Sequence, residues 1–206
     1  MTKSVLLNPQ KYNVKHQDPK TEDIMKKTIE FFEHKGLQEL KLDDRDYRWY
    51  DDYMKFEKEN NIFSTLLTHS GYGDVNSRFD LARVCAYSEL LSFYSLAHHY
   101  NYQVSMLGVS PIWMGNNEDA KKKCAGYLKD GEVFAFGMSE KEHGADLYSN
   151  EMKLSPVDNG AYRADGNKYY IGNCNRARMI STFGKLSDTG ERSEEHTSEL
   201  QSPVRS

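Results

Sequence analysis

Apolar residues recur at spacings of three and four along the first 130 positions, and in short runs or alternation after them. Ile24, Met25, Ile29 and Phe32 make one helical stripe. Asp18 is placed to cap that helix, Pro19 suits its first position, and Gly36 its C-terminal stop. Residues 1–17 read as an extended lead-in. A second helix is expected from Leu42 to about Glu59, with Tyr47, Tyr50, Met54 and Phe56 as its aromatic face. Residues 69–76 have the composition of a loop, and Ser77 to Asp80 fits a capping box. The helix that follows carries Phe79, Ala82, Ala86, Leu90, Phe93 and Ala97 on one stripe. Val84, Cys85, Leu91, Tyr94 and Leu96 lie around the rest of it. A helix apolar nearly all round is expected to be buried in a bundle. Tyr102 to Met114 continues the apolar texture. Asn117, Glu118 and Asp119 then cap a helix running to about Leu128, with acids at its positive end.

The texture changes at Asp130-Gly131. Glu132 to Met138 is a Val- and Phe-bearing run that reads as a buried strand. Asn150 to Val157 alternates, Asp158-Asn159-Gly160 is a turn, and Ala161 to Ala164 is a short strand. Asp165-Gly166 is a type I′ hairpin signal, with further strands expected at Asn167 to Ile171 and Arg178 to Phe183. The fold class is therefore α+β, with an all-α domain over residues 1–130 and a partial β domain over 131–191. Residues 192–206 show almost no apolar positions and no period. They resemble translated sequencing-adaptor read-through and are expected to be a disordered tail outside the fold.

Charge and cysteine content narrow the classes. With 27 basic and 31 acidic residues the net charge is −4, which argues against nucleic acid as the main partner. Aromatic residues at 12% are too many for a disordered chain. No apolar run is long enough for a membrane span or a secretory signal, so a cytoplasmic location is expected. Cys85, Cys124 and Cys174 are odd in number and far apart, which suits reduced, buried or half-buried thiols. His98 and His99 are adjacent and point about 100° apart on a helix, so they cannot share a metal. With His34, His69, His143 and His196 scattered, no metal site is assigned. Neither a phosphate loop nor a nucleophile elbow occurs, and Gly71-Tyr72-Gly73 lacks the third glycine of a dinucleotide fingerprint.

The segment Phe134 to Asp146 (FAFGMSEKEHGAD) runs a buried strand into a loop holding Ser139, Glu140, Gly144 and Asp146. Small residues at Gly137, Gly144 and Ala145 permit close approach of a ligand. Backbone N–H groups and a hydroxyl at a strand end suit a flat heterocycle with several acceptors; an ordinary polar turn accounts for the composition equally well. This segment resembles the flavin-binding signature of the acyl-CoA dehydrogenase family, aromatic-x-x-Thr/Ser-Glu-x-x-x-Gly-Ser-Asp. Asp165 to Asn173 (DGNKYYIGN) is similar to the family's Asn-Gly-x-Lys-x-Trp-Ile-Thr-Asn strand. Gly115 to Gly131 resembles the helix leading into its β domain. The resemblance spans about residues 20–191.

That resemblance implies a helical domain followed by a truncated β-sheet or barrel domain of acyl-CoA dehydrogenase type, with a further helical domain after them, and FAD as cofactor. It implies Phe136, Met138 and Ser139 on the flavin, with Gly144 and Ala145 on the adjoining loop. Tyr170 stands in the place of the family tryptophan, and Ile171 contributes through its backbone; core packing is the alternative for Phe136 and Tyr170. Gly172 replaces a threonine whose hydroxyl reaches the flavin, Ala145 replaces a serine, and Lys141-Glu142-His143 replaces a more neutral turn. The implied reaction is α,β-dehydrogenation of an acyl-CoA, with an electron-transferring flavoprotein or oxygen as acceptor and a homo-oligomer as the full-length form. The family's catalytic glutamate lies in the further domain, so no catalytic residue is assigned and a chain ending here is expected to be inactive alone. Glu140, as part of the loop motif, is expected to be structural. An enzyme of the acyl-CoA oxidase branch and a non-enzymatic helical binding module are the alternatives.

Overall fold

The computed structural model describes residues 8, 9, 12, 15, 18–187 and 198–200. They fall into two compact units. The first takes the residues up to Tyr102 together with Leu128–Gly131; the second takes Gln103–Tyr127 and the residues from Glu132 onward.

In the first unit, α1 (Pro19–Arg45) starts where the sequence places it. Asp18 Oδ1 accepts the Thr21 N–H at 2.8 Å, and Pro19 occupies the first turn. Ile24, Met25 and Phe32 are buried, as their stripe requires. Gly36 breaks the helix with φ 73° and ψ 158°, yet helical turns resume to Arg45. Residues 42–45 therefore close α1, and α2 begins only at Asp51 (Asp51–Glu59). The expected aromatic face of the second helix is also revised. Tyr47 is exposed in the intervening turn with φ 51°, while the buried side chains of α2 are Tyr53 and Glu57.

After α3 (Ile62–Leu66), the capping box gives way to a different cap. Ser77 Oγ is spent on the Ser64 carbonyl at 2.9 Å and the Asp74 N–H at 3.0 Å. Asp80 instead caps α4 (Leu81–Tyr94), accepting from the Ala82 and Arg83 N–H groups at 2.9 and 3.3 Å. Ser95 takes an extended conformation that ends α4, and α5 (Leu96–Met114) follows at once. Burial is on one side rather than all round: Val84, Tyr87, Leu90 and Leu91 are buried, whereas Phe93 and Leu96 are exposed. Cys85 and Cys174 are exposed and only Cys124 is buried, so the expectation for the thiols fails at two of three positions.

In the second unit, Asn117 Oδ1 accepts the Ala120 N–H at 3.0 Å and starts α6 (Glu118–Lys129). Strands β1 (Phe134–Gly137), β4 (Met179–Thr182) and β6 (Ser198–Leu200) form one sheet in the order β1-β4-β6. Strands β3 (Tyr162–Asp165), β2 (Lys153–Pro156) and β5 (Lys185–Leu186) form a second in the order β3-β2-β5. β1 and β4 are parallel, with Phe134 opposite Met179 and Gly137 opposite Thr182. β2 and β3 are antiparallel across the Asp158–Gly160 turn.

The compact units divide within α5, whereas the sequence reading divides the chain at residue 130. The C-terminal half of α5 packs on β1 closely enough that a Cβ at Gly108 would lie 2.7 Å from the Ala135 carbonyl oxygen. Ser181 Oγ donates to the Gly108 carbonyl at 2.6 Å, and Ser105 Oγ accepts the Phe134 N–H at 3.2 Å.

Two β expectations are corrected. Residues 167–171 form no strand, and Gly166 turns no hairpin; its Cβ would sit 2.8 Å from Met152 Cα, so the glycine serves a close crossing of β2. Within the stretch expected to be a disordered tail, Ser198–Leu200 pairs antiparallel with β4, Ile180 opposite Leu200. The unpaired edge of β4 offers a row of backbone donors and acceptors that a short strand satisfies. The other residues of 192–206 lie outside the described residues. Among the described residues, no helix is long and apolar enough to cross a membrane.

Candidate functional site

The site expected from sequence lies wholly in the second unit. β1 delivers it: Phe134, Ala135 and Gly137 are buried, while Phe136 is half-buried. Thr182 Oγ1 donates to the Gly137 carbonyl at 2.9 Å and fixes the strand end. Met138 and Ser139, both half-buried, come next.

The loop after them is built around Glu140. Its carboxylate is buried and accepts the Glu151 N–H at 2.6 Å on Oε2 and the Met152 N–H at 2.9 Å on Oε1. Lys168 Nζ lies 3.0 Å from Oε1. Burial alone would raise this carboxyl; the two backbone N–H groups and the ammonium outweigh it and hold it below its ordinary value. Glu140 therefore stays charged, with both oxygens engaged and its basicity lowered, which gives it a structural place rather than that of a proton-abstracting base. Glu140 and His143 exchange backbone hydrogen bonds of 2.9 and 3.3 Å, closing a small turn. Gly144 and Ala145 follow on the surface. A Cβ at Gly144 would meet nothing within 4 Å, so the chain itself makes no demand for glycine there.

The second segment is a turn rather than the expected strand. Tyr170 has φ 58° and is 90% exposed, which excludes it from core packing. Its ring centroid is 6.2 Å from that of Tyr169. Ile171 and Gly172 are half-buried. Asn173, buried and with φ 60°, anchors the turn: Nδ2 donates to the Phe134 carbonyl at 3.1 Å and to Ser105 Oγ at 3.3 Å. Its carbonyl accepts from the N–H groups of both Arg176 and Ala177 at 2.8 Å. Two left-handed residues three positions apart cannot hold a ladder, and the buried Asn173 side chain sets the turn instead.

The two segments meet through the backbone. The Tyr169 N–H donates to the Ser139 carbonyl at 2.9 Å, so Met138-Ser139 and Tyr169-Tyr170 lie side by side. Lys168, Asn150 and Asn173 hold this junction. The sequence reading assigned none of them a role, although Lys168 and Asn173 sit within the motif it quoted. The arrangement joins a hydroxyl-bearing strand end, an open glycine and an exposed aromatic ring, which suits a flat ligand with polar edges.

A cleft of about 410 Å³ lies elsewhere, in the first unit, lined by Asp18, Arg78 and the Ser70–Ser77 loop. Its Arg78 is already tied to Asp18 at 3.4 Å and Asp80 at 3.1 Å, and none of the candidate flavin-contacting residues lines it. The surface loops of the second unit are the stronger candidate on chemistry.

The fold is that of the acyl-CoA dehydrogenases. Among solved structures, butyryl-CoA dehydrogenase from Megasphaera elsdenii superimposes with a TM-score of 0.70 at 20% identity, over 89% of this chain and 47% of that one. An acyl-CoA dehydrogenase from Geobacillus kaustophilus gives 0.70 at 18% identity, over 87% and 46%. A chain from the structure of the electron transferring flavoprotein of Acidaminococcus fermentans gives 0.71 at 20%, over 86% and 46%. The chain thus spans about half the length of these structures. No family model and no curated protein matches the sequence.

Proposed function

We propose that this chain is the N-terminal part of an FAD-dependent enzyme of acyl-CoA dehydrogenase type that introduces an α,β double bond into an acyl-CoA thioester. The observation that carries the reading is the hydrogen bond between Tyr169 and Ser139, which joins the two motif segments while leaving Tyr170 and Gly144 open to a ligand. The solved neighbours support it, since they include an acyl-CoA dehydrogenase complexed with FAD from Bacillus anthracis.

The residues present fit a flavin. Tyr170 offers a ring face, Ser139 a hydroxyl, Phe136 and Met138 apolar contact, and Gly144, Ala145 and Gly172 no bulk. Ile171 contributes backbone groups. Bound FAD would supply the hydride acceptor for the dehydrogenation. The chain's own part is to bind and orient: Asn173 and Glu140 hold the two loops, and Tyr170 covers one side of the ligand. The general base is assigned to a further helical domain of the enzyme, and an electron-transferring flavoprotein or oxygen would be its acceptor. Residues 192–206 are proposed to be foreign to the enzyme.

The 206-residue chain should purify colourless, because half a site forfeits the contacts that offset immobilising a large ligand. Titrated FAD should still bind weakly and structure its visible absorption band. The complete gene product should purify yellow and bleach anaerobically with an acyl-CoA. If the complete product holds no flavin, the reading fails. If it holds flavin that no acyl-CoA bleaches, the substrate class fails and the cofactor stands.

A further inference from the structure

One side chain of the second motif segment gathers three stretches of chain at the candidate site. Lys168 is half-buried as a residue with its side chain 8% exposed, and its Nζ donates to the Met138 carbonyl at 3.1 Å, to Glu140 Oε1 at 3.0 Å and to Asn150 Oδ1 at 2.9 Å. These acceptors come from the end of β1, from the loop after it and from the entry to β2. An ammonium has three donors and no acceptor, so this set uses all of them.

The consequence falls on the backbone. Asn150 Nδ2 adds a second bond to the Met138 carbonyl at 3.1 Å, so that oxygen is pinned by two donors. In a planar trans peptide the C=O of Met138 and the N–H of Ser139 point in opposite directions. Fixing one inward therefore fixes the other outward. The residue after Lys168 makes the bond to the Ser139 carbonyl, and the next is the exposed Tyr170. The same ammonium that orients the Ser139 N–H also fixes the root of the Tyr170 turn.

We propose that Lys168 is the positioning residue of the flavin site, setting the Met138-Ser139 backbone and the Tyr170 ring in one arrangement for a flat isoalloxazine ring. This rests on the FAD reading above. Lys168 touches no ligand; it acts through the groups it holds.

The test is an FAD titration of the wild-type chain and of Lys168→Met, Lys168→Arg and Asn150→Ala, followed by the shift and structuring of the flavin absorption band. Thermal melting without FAD serves as the control for folding. Outer-shell partners at metal sites are worth about 10- to 100-fold in affinity, and a loss on that scale is expected for Lys168→Met. At saturating FAD its band should also lose the wild-type structure, because the ring is held in more than one pose. Asn150→Ala, which keeps the Lys168–Glu140 pair, should show a smaller loss, and Lys168→Arg should recover part of the affinity. A folded Lys168→Met that binds FAD with wild-type affinity and band shape overturns the proposal and leaves the FAD reading intact. Should Lys168→Met not fold, Asn150→Ala decides, and a wild-type band and affinity there overturn it. No band change in the wild-type chain at any FAD concentration overturns this proposal, whereas the FAD reading falls only if the complete product holds no flavin.

Discussion

Among the described residues each unit buries one glutamate, and the two end in opposite states. Glu57 in the first unit has one partner, the Phe63 N–H at 2.7 Å on Oε1, and its other oxygen is buried without one. Desolvation dominates and pushes its pKa up to about 8. Glu140 in the second unit is buried too, but two backbone N–H groups and Lys168 hold it below 4.5. Burial by itself does not decide charge; the number of donors facing the carboxylate does. Glu57 interacts with Tyr53 and Tyr87, whose hydroxyls are 3.0 Å apart, in a core that also buries Thr28, Arg83 and His98. Glu140 sits at the mouth of a candidate site, where a fixed charge keeps a loop in shape.

The largest expected effect breaks the second of these. Glu140→Gln leaves Lys168 buried without its counter-charge, and removing one partner of a buried pair costs about 3–5 kcal/mol. Trp113 lies in the second unit and Trp49 in the first, so denaturation followed through each in single-Trp variants should show the loss at Trp113. Equal loss at both would mean that the units unfold as one.

The next prediction uses pH, and the signs differ between the units. The folded state holds Glu57 protonated to about pH 8, while the unfolded chain releases that proton near 4.5. The stabilisation is therefore complete below pH 4.5 and is lost as pH rises through 8, by at most about 1.4 kcal/mol per pH unit. For Glu140 the folded value is the lower one, so its contribution is present above pH 4.5 and is lost as pH falls. Hydrogen exchange at pH 4 and pH 8 should show the second unit loosened in acid and the first in base. Glu57→Gln should flatten the alkaline loss in the first unit; an unchanged alkaline slope would show that Glu57 is not its source.

Glycines give the finer pair. Gly108→Ala should cost about 1–3 kcal/mol, because backbone of β1 blocks the new methyl group. Gly144→Ala, with open space and no left-handed φ, should shift the melting free energy by less than about 0.5 kcal/mol while weakening FAD binding. A melting change at Gly144 as large as that at Gly108 would remove the distinction between a glycine kept for packing and one kept for a ligand.

Local chemistry read from the sequence held where one residue decides an outcome within a few positions. Asp18-Pro19 and Asn117 start helices because a side-chain oxygen needs only the N–H two or three residues on. It failed where two residues compete for one role. Ser77 and Asp80 are both good caps, and the choice fell to Asp80 because the Ser64 carbonyl, distant in sequence, took the Ser77 hydroxyl. The same holds at the candidate site. The motif residues were legible, but Tyr170 reads as part of a strand until Asn173 is seen reaching the Phe134 carbonyl.

By itself, then, the sequence determined the helix-to-strand switch near Gly131, the helix starts with local caps and the two segments that make the candidate site. Period, capping and glycine content act over a few residues, and sequence carries them directly. Tertiary structure alone decided that α5 is shared between the units, that Glu57 is buried neutral and Glu140 buried charged, and that Lys168 joins three loops. Those outcomes depend on which donors, acceptors and bulky groups meet across dozens of residues. A glutamate or a lysine carries no mark in the sequence of the partners it will find.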